Sequence, residues 1–211
     1  MSKQLSSSIL LHQLQRLNRR VLEIALRDFG QMSEEQLNWK PSVDQWNILQ
    51  CLEHSMLFLD HYLPLLEQVL QKNKLLTPTP TYKVSQYGKY GIKMVKINRN
   101  NQLKLTLHSR KAFQPMEEPQ TAGDQQTIIT RYEKNVQKLA NILLQAESLP
   151  LGKIKIPFNF GGLFKIKLGD LLQVLVYHTE RHLVQAQRVL YDDNFPIDLE
   201  ALEADLAHRS N

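Results

Sequence analysis

Apolar side chains recur every three or four residues along most of the chain, a spacing that predicts long amphipathic helices. Four such helices are predicted, over residues 5–29, from Asp44 to about Leu70, from Thr121 or Asp124 to about Leu149, and over residues 168–191. Gly30 is expected to end the first helix. Pro64 is expected to bend the second, because proline removes one backbone hydrogen bond.

Prolines and glycines interrupt this pattern over residues 73–118, which predicts a long crossing connection between the second and third helices. One short helix is expected inside it, over about residues 84–95. Three further short elements are predicted: a capped turn at Ser33, a small β-hairpin around Gly161 and Gly162, and a last helix over residues 198–207. These elements describe an all-α four-helix bundle, and we expect one domain over residues 1–211.

The composition limits the cellular setting and the chemistry. With 211 residues, of which 42% are hydrophobic, the chain is long enough for one sizeable core. Its lone cysteine, Cys51, excludes an internal disulfide and a cysteine-rich zinc motif, so a metal would need His, Asp or Glu ligands. No stretch approaches the roughly 18 to 20 apolar residues of a membrane span. We therefore expect a cytoplasmic protein without membrane association.

Positive charge is concentrated in one segment of the chain. The net charge is +5, yet no acidic residue lies between Glu67 and Glu117, and the remainder of the chain is net negative. The segment contains ten basic residues: Lys72, Lys74, Lys83, Lys89, Lys93, Lys96, Arg99, Lys104, Arg110 and Lys111. Interleaved tyrosines make nucleic-acid binding through residues 72–111 a minor alternative. Against it, the charges are spread over a predicted loop, and no known binding motif is present.

Two histidines occupy what would otherwise be the apolar seam of the fourth helix. The seam consists of Leu168, Leu171, Leu175, His178, His182, Gln185 and Val189. A buried imidazole without partners costs roughly 1–3 kcal/mol, so two of them one turn apart need a reason. Side chains at this spacing have Cβ atoms about 5–6 Å apart, close enough to share one ion about 2.0–2.1 Å from each nitrogen. A divalent metal ion would supply that reason.

His54, on the second helix, is the candidate third ligand. It lies on the side of the helix opposite the leucine seam, so it faces the bundle centre only if the helix is buried on both sides. Phe58, Tyr62 and Leu65 indicate such burial. His61 lies two turns further on, about 10 Å along the axis, which is too far to share the ion and predicts a position at the rim.

A structural role for these histidines is the competing interpretation, since a lone His–x₃–His pair is more often structural than metal-binding. A zinc-protease helix is disfavoured for a geometric reason. That motif has Glu directly after its first histidine, whereas Glu180 lies two residues after His178, about 200° around the helix.

These residues carry a resemblance to a known family. Trp46 ahead of His54, and Leu168-Gly-Asp-Leu-Leu leading into His178-Thr-Glu-Arg-His182 and then Gln185, resemble the DinB-like superfamily. The likeness is strongest over residues 39–70 and 121–191, and the long basic connection departs from it. It implies an often dimeric four-helix bundle in which His54, His178 and His182 bind nickel, zinc or a similar divalent ion, with iron or manganese as further candidates. Several relatives look like transferases that use low-molecular-weight thiols, and many others have no assigned reaction.

Three neutral imidazoles leave an ion its full charge and an open position, which is typical of catalytic sites. Such an ion can activate water, giving a hydrolase, or a small thiol, giving a thiol transferase. Arg181, Gln185 and His61 are expected to orient ligands or substrate, although Arg181 can instead form a surface salt bridge and Gln185 a hydrogen bond within the bundle.

The basic connection is expected near the bundle mouth, where it would attract a small anionic co-substrate. Tyr82, Tyr87 and Tyr90 in it either line the pocket or cover apolar surface. The alternative function is a non-catalytic metal or ligand sensor. No carboxylate can be assigned to face the metal, which weakens the enzyme interpretation.

Overall fold

The computed structural model describes residues 4–97, 113–115, 122–158 and 164–196. Its helices are α1 (Ser7–Phe29), α2 (Glu34–Asn38), α3 (Ile48–Asn73), α4 (Gln86–Val95), α5 (Ala122–Gln145) and α6 (Leu168–Leu190). A 3₁₀ turn, Ala146–Ser148, follows α5. The strands are β1 (Leu5–Ser6), β2 (Thr81–Tyr82), β3 (Lys155–Phe158) and β4 (Phe164–Lys167).

The four long helices form the predicted bundle. α3 packs against α5 and α6, and α1 packs against the same two helices. The leucines that set the helical pattern lie in the interior, among them Leu14, Leu59, Leu139 and Leu175. The all-α prediction is therefore confirmed, and the four short strands lie outside the four long helices.

In the part of the chain that the structure describes, no helix combines the length and the apolar character needed to cross a membrane.

α3 is buried on two sides, which is the condition that His54 requires. Its leucine seam, including Leu52 and Leu59, lies in the core. The opposite line of Cys51, His54 and Phe58 is buried as well. The helix therefore presents apolar side chains to one neighbour and a histidine to another.

The start of α3 differs from the prediction. The Asn47 side chain accepts a hydrogen bond from the Gln50 backbone nitrogen at 2.7 Å, and the Gln50 side chain accepts one from the Asn47 nitrogen at 3.2 Å. This reciprocal pair satisfies two backbone donors at the helix end and fixes the first turn. The predicted start at Asp44 is wrong because Asn47 provides the cap.

Two small antiparallel sheets flank the bundle. β3 and β4 form the predicted hairpin, with Ile156 opposite Ile166 and both buried. β1 and β2 form a second pair, with Leu5 opposite Tyr82. The helical spacing predicts that Leu5 lies in the first helix, which is wrong, and it does not predict this pairing, because strands of two residues carry no periodic signal.

α4 lies against α6 and is fixed there by a buried carboxylate. Asp170, in the first turn of α6, accepts hydrogen bonds from the backbone nitrogens of Ser85, at 3.2 and 3.4 Å, and Lys167, at 3.3 Å. Gln173, one turn further, donates to the hydroxyl of Tyr82. The predicted short helix is therefore present. Residues 98–112 and 116–121 of the connection, and the predicted last helix over 198–207, lie outside the described residues.

We expect Gly88→Ala to destabilise the protein by about 1–3 kcal/mol, because a Cβ at Gly88 would lie 2.3 Å from Cγ of the buried Asp170 carboxyl. In an unobstructed helix the same change is favourable by about 1 kcal/mol. Urea unfolding measures the difference, with Lys89→Ala on the exposed side of α4 as the control, expected within about 0.5 kcal/mol of the parent. A Gly88→Ala protein as stable as the parent would contradict this close packing.

Candidate metal centre

Three histidines meet across the interface between α3 and α6. His54 comes from α3 and His178 and His182 from α6, and all three are buried. The ring centroids of His54 and His178 are 5.1 Å apart, those of His54 and His182 4.3 Å, and those of His178 and His182 4.5 Å. The helix pair thus places three imidazoles around one point.

One nitrogen from each ring is available to a common ion. Over the described residues, these histidines form the group able to hold a metal, and their ligand atoms all lie within 4.8 Å of one another. Nitrogens around a tetrahedral zinc ion lie about 3.4 Å apart, given bonds of about 2.0–2.1 Å. A shared ion would therefore draw the three nitrogens closer together.

Hydrogen bonds orient two of the three rings. Nδ1 of His54 lies 2.6 Å from the carbonyl oxygen of Phe113, which can only accept, so this nitrogen carries the proton. Nδ1 of His182 lies 3.0 Å from Oε1 of Gln185 and donates to it in the same way. Both rings therefore keep the lone pair on Nε2, which is the arrangement found at metal-bound histidines.

The third ring has an unsatisfied nitrogen. Nδ1 of His178 is buried and has no hydrogen-bond partner in the structure. Leaving a buried polar atom without a partner costs about 1–3 kcal/mol. An ion bound at this nitrogen would be the missing partner, so the cluster fits a divalent metal.

The environment keeps all three imidazoles neutral. Burial lowers the pKa of His54, and it lowers those of His178 and His182 well below the usual value. The neighbouring rings lower the pKa of His178 and His182 further, and the Arg181 guanidinium lowers all three. Neutral rings carry the lone pairs that a metal requires.

Aromatic side chains form the walls of the site. The half-buried Trp46 ring lies 4.9 Å from that of His54 and 6.0 Å from that of His182. The buried Phe58 ring lies 4.4 Å from that of His178, and Phe113 packs on Phe58 at 5.5 Å. These rings limit access of water and strengthen electrostatic interactions inside the site.

Two residues beside the three histidines have defined positions. Gln185 makes the hydrogen bond to His182 described above, so it is placed to orient that ring. Arg181 is only 5% exposed, so its side chain does not lie at the surface. Its guanidinium lowers the pKa of all three imidazoles.

The remaining candidates lie further from the centre. His61 is exposed on α3, and its ring contacts Phe113 at 5.9 Å. Glu180 is outside the ligand group and interacts electrostatically with Lys96 and Arg20.

The connection reaches the site through Phe113 and not through its tyrosines. Tyr82 is buried beneath Gln173, and Tyr87 and Tyr90 are exposed on α4. The described ring contacts of the three histidines include none of them. The role of Phe113 could not be predicted from the sequence, because a backbone carbonyl has no residue-type signal.

The chain matches one known protein family. The family model of the DinB superfamily matches residues 13–186, a range that includes all three histidines. No curated protein and no solved structure matches the chain. The family is thus established, while the reaction has to be inferred from the site.

We expect the chelator-treated protein to lose stability as the pH falls below about 6.5. Histidines of the unfolded chain protonate near that pH, whereas the pKa values of His54, His178 and His182 are lowered in the folded state. The unfolded state then binds more protons, and each such ring lowers the free energy of unfolding by up to about 1.4 kcal/mol per pH unit. Above about pH 6.5 the rings are neutral in both states and impose no such penalty, and the free energy of unfolding declines as the pH decreases below that value.

Urea unfolding between about pH 8 and pH 5 tests this dependence. His178→Gln should show a shallower decline than the parent, since it lacks one of the buried rings. His61→Gln, which changes an exposed ring, should decline as the parent does. Equal slopes in the parent and His178→Gln would show that the buried ring does not stay neutral.

Proposed function

Because the chain belongs to the DinB superfamily, we propose that it is a metal-dependent enzyme in which His54, His178 and His182 hold one divalent ion. The observation that best supports this proposal is the convergence of three buried imidazoles from two helices, with ligand atoms within 4.8 Å of one another. Imidazole ligands suit zinc, nickel and iron. Zinc or nickel is our first expectation, with iron and manganese after them.

The proposed substrate is a small thiol, which the metal ion would activate by favouring its deprotonated form. When bound, the ion would supply the Lewis acidity that lets a thiol or a water react in its deprotonated form near neutral pH. Three neutral imidazoles would leave a bound divalent ion its full charge, which favours an anionic sulfur. Within the described residues no carboxylate belongs to the ligand group.

The surrounding residues would prepare the site for this chemistry. The Phe113 carbonyl and the Gln185 side chain hold two of the rings with Nε2 available. Trp46 and Phe58 exclude bulk water from the same space. Such positioning costs nothing at the moment of reaction, because it is already present in the folded protein.

The alternative to a thiol transferase or a hydrolase is a metal or ligand sensor with the same three ligands. It differs from the enzyme only in turnover, so activity measurements separate the two. The homodimer, the single domain and the cytoplasmic location expected from the sequence stay predictions.

His178→Ala should reduce bound metal by well over tenfold. It removes a ligand from the ion, and it also removes the stabilisation that a ligand of the folded state provides by mass action. Elemental analysis of protein purified without a histidine tag, with thermal unfolding alongside, measures both effects. The matched control is His61→Ala, an exposed histidine of α3 expected to keep the metal of the parent. A full equivalent of metal in His178→Ala would refute the ligand assignment.

The metal-loaded protein should catalyse transfer of a small thiol to 1-chloro-2,4-dinitrobenzene. In this reaction a carbon–sulfur bond forms, the carbon–chlorine bond breaks, and chloride and one proton are released. Absorbance of the thioether measures the rate with cysteine as a first thiol, and His178→Ala is expected at least about a hundredfold slower. A parallel assay with p-nitrophenyl acetate tests the hydrolase. If a panel of small thiols and esters gives no rate above that of His178→Ala, the sensor becomes the better interpretation.

A further inference from the structure

The last described part of the connection lies on α3 beside the candidate metal centre. We call this stretch, residues 113–115, the strap. The backbone carbonyl of Phe113 accepts a hydrogen bond of 2.6 Å from Nδ1 of His54. The Phe113 ring packs on the ring of Phe58 at 5.5 Å and on that of His61 at 5.9 Å. The strap therefore follows one line of α3 side chains, whose positions are four and then three residues apart.

The orienting acceptor of His54 has a different origin from that of His182. Gln185, which accepts the hydrogen bond of His182, lies three residues further along the same helix, so formation of α6 brings the two together. The acceptor of His54 lies 59 residues away in the sequence and belongs to the connection. The orientation of one proposed ligand thus depends on a segment outside the four long helices.

The described contacts that hold the strap are weak compared with the packing of the bundle. Pro115 is buried and the Phe113 ring is half-buried, whereas Gln114 between them is exposed. The long helices, in contrast, bury many leucines against one another. Segments held by few apolar contacts open locally at a small cost in free energy. We therefore expect the strap to detach from α3 while the helices stay packed.

The hydrogen bond between His54 and the strap is sensitive to the state of the ring. His54 is a stronger donor at Nδ1 when its Nε2 binds a metal ion, because the ring then shares the positive charge. Hydrogen bonds with a charged donor are roughly twice as strong as those between neutral groups. In the opposite direction, the carbonyl acceptor raises the basicity of Nε2 and keeps the ring in the tautomer that binds metal. Docking of the strap and binding of the ion therefore favour each other.

From these observations we infer that the strap is coupled to the metal centre, with Phe113 as a positioning residue for His54. Metal binding strengthens the hold of the strap on α3, and the docked strap strengthens metal binding by the same factor, because the coupling of two binding equilibria is reciprocal. The connection is thereby held more tightly when the centre is loaded. This inference rests on the proposed role of His54 as a ligand.

Trypsin tests the coupling in the full chain, because the bond between Lys111 and Ala112 directly precedes the strap. Proteolysis of a segment that opens and closes rapidly follows the population of its open form. Saturating zinc is expected to slow cleavage of this bond at least about fivefold relative to the chelator-treated protein. Mass spectrometry of short digests measures this rate against cleavage after Lys74, an exposed residue about 30 Å from His54 along the direction of α3, which zinc should not protect.

Phe113→Ala removes the ring that anchors the strap and keeps the backbone carbonyl in the chain. Cleavage after Lys111 should then be fast with and without zinc. The affinity for zinc, measured by titration calorimetry, should fall by the same factor by which zinc slows cleavage in the parent, since both numbers report one coupling. Phe113→Leu retains an apolar anchor and should stay within about threefold of the parent in both measurements.

The matched control removes a half-buried ring elsewhere. Phe195 packs on Trp39 at 5.5 Å, so Phe195→Ala should leave the zinc affinity and the cleavage after Lys111 as in the parent. Circular dichroism verifies that every variant is folded. An equal loss of zinc affinity in this control would overturn the inference, because the loss would then follow from general loosening of the protein.

Failure of the coupling and failure of the metal centre give different results. A parent protein that binds no zinc would refute both the ligand role of His54 and the coupling. One equivalent of bound zinc without protection of the bond after Lys111 would leave the centre in place and overturn the coupling. A lower zinc affinity in Phe113→Ala without matching protection in the parent would assign the ring a purely structural role. Equal factors in the two measurements, with Phe113→Leu and Phe195→Ala close to the parent, support the coupling.

Discussion

The packing of α3 on α6 is the contact on which the candidate metal centre of this bundle depends. It joins one histidine of α3 to two histidines of α6 within a region that water barely reaches. Burying three imidazoles is unfavourable unless their nitrogens have partners. Apolar packing along the same helix pair, together with Trp46 and Phe58, provides the stabilisation that holds the rings in place. A loss of contact between these helices would remove both the core and the site.

The long connection between α3 and α5 contributes to this centre, although it lies outside the bundle. Its first part is fixed to α6 by Asp170, and its last described part places Phe113 against His54. The connection therefore has two structural roles, one at each end. A segment that the sequence predicts to be a simple crossing thus contributes a hydrogen-bond acceptor to His54 of the candidate metal centre.

Much of the fold could be predicted from the sequence, because the four long helices have leucine seams with unbroken spacing. The pair His178 and His182 could be predicted for the same reason, since both occupy positions of such a seam. His54 needed a tertiary condition, burial of α3 on two sides, and a family resemblance. The β1–β2 pair and the cap at Asn47 could not be predicted, because two-residue strands and competing polar residues give no distinct pattern. The burial of Arg181 depends on packing around α6, which no local spacing encodes.

The contact between His54 and the carbonyl of Phe113 has a consequence for how this protein can vary. No exchange of one side chain for another removes a backbone oxygen, so a substitution at position 113 affects this hydrogen bond only by moving the backbone. The hydrogen bond also depends on the path and the length of the chain before Phe113. Insertions or deletions in the connection can therefore change the orientation of the His54 ring while all three histidines are retained.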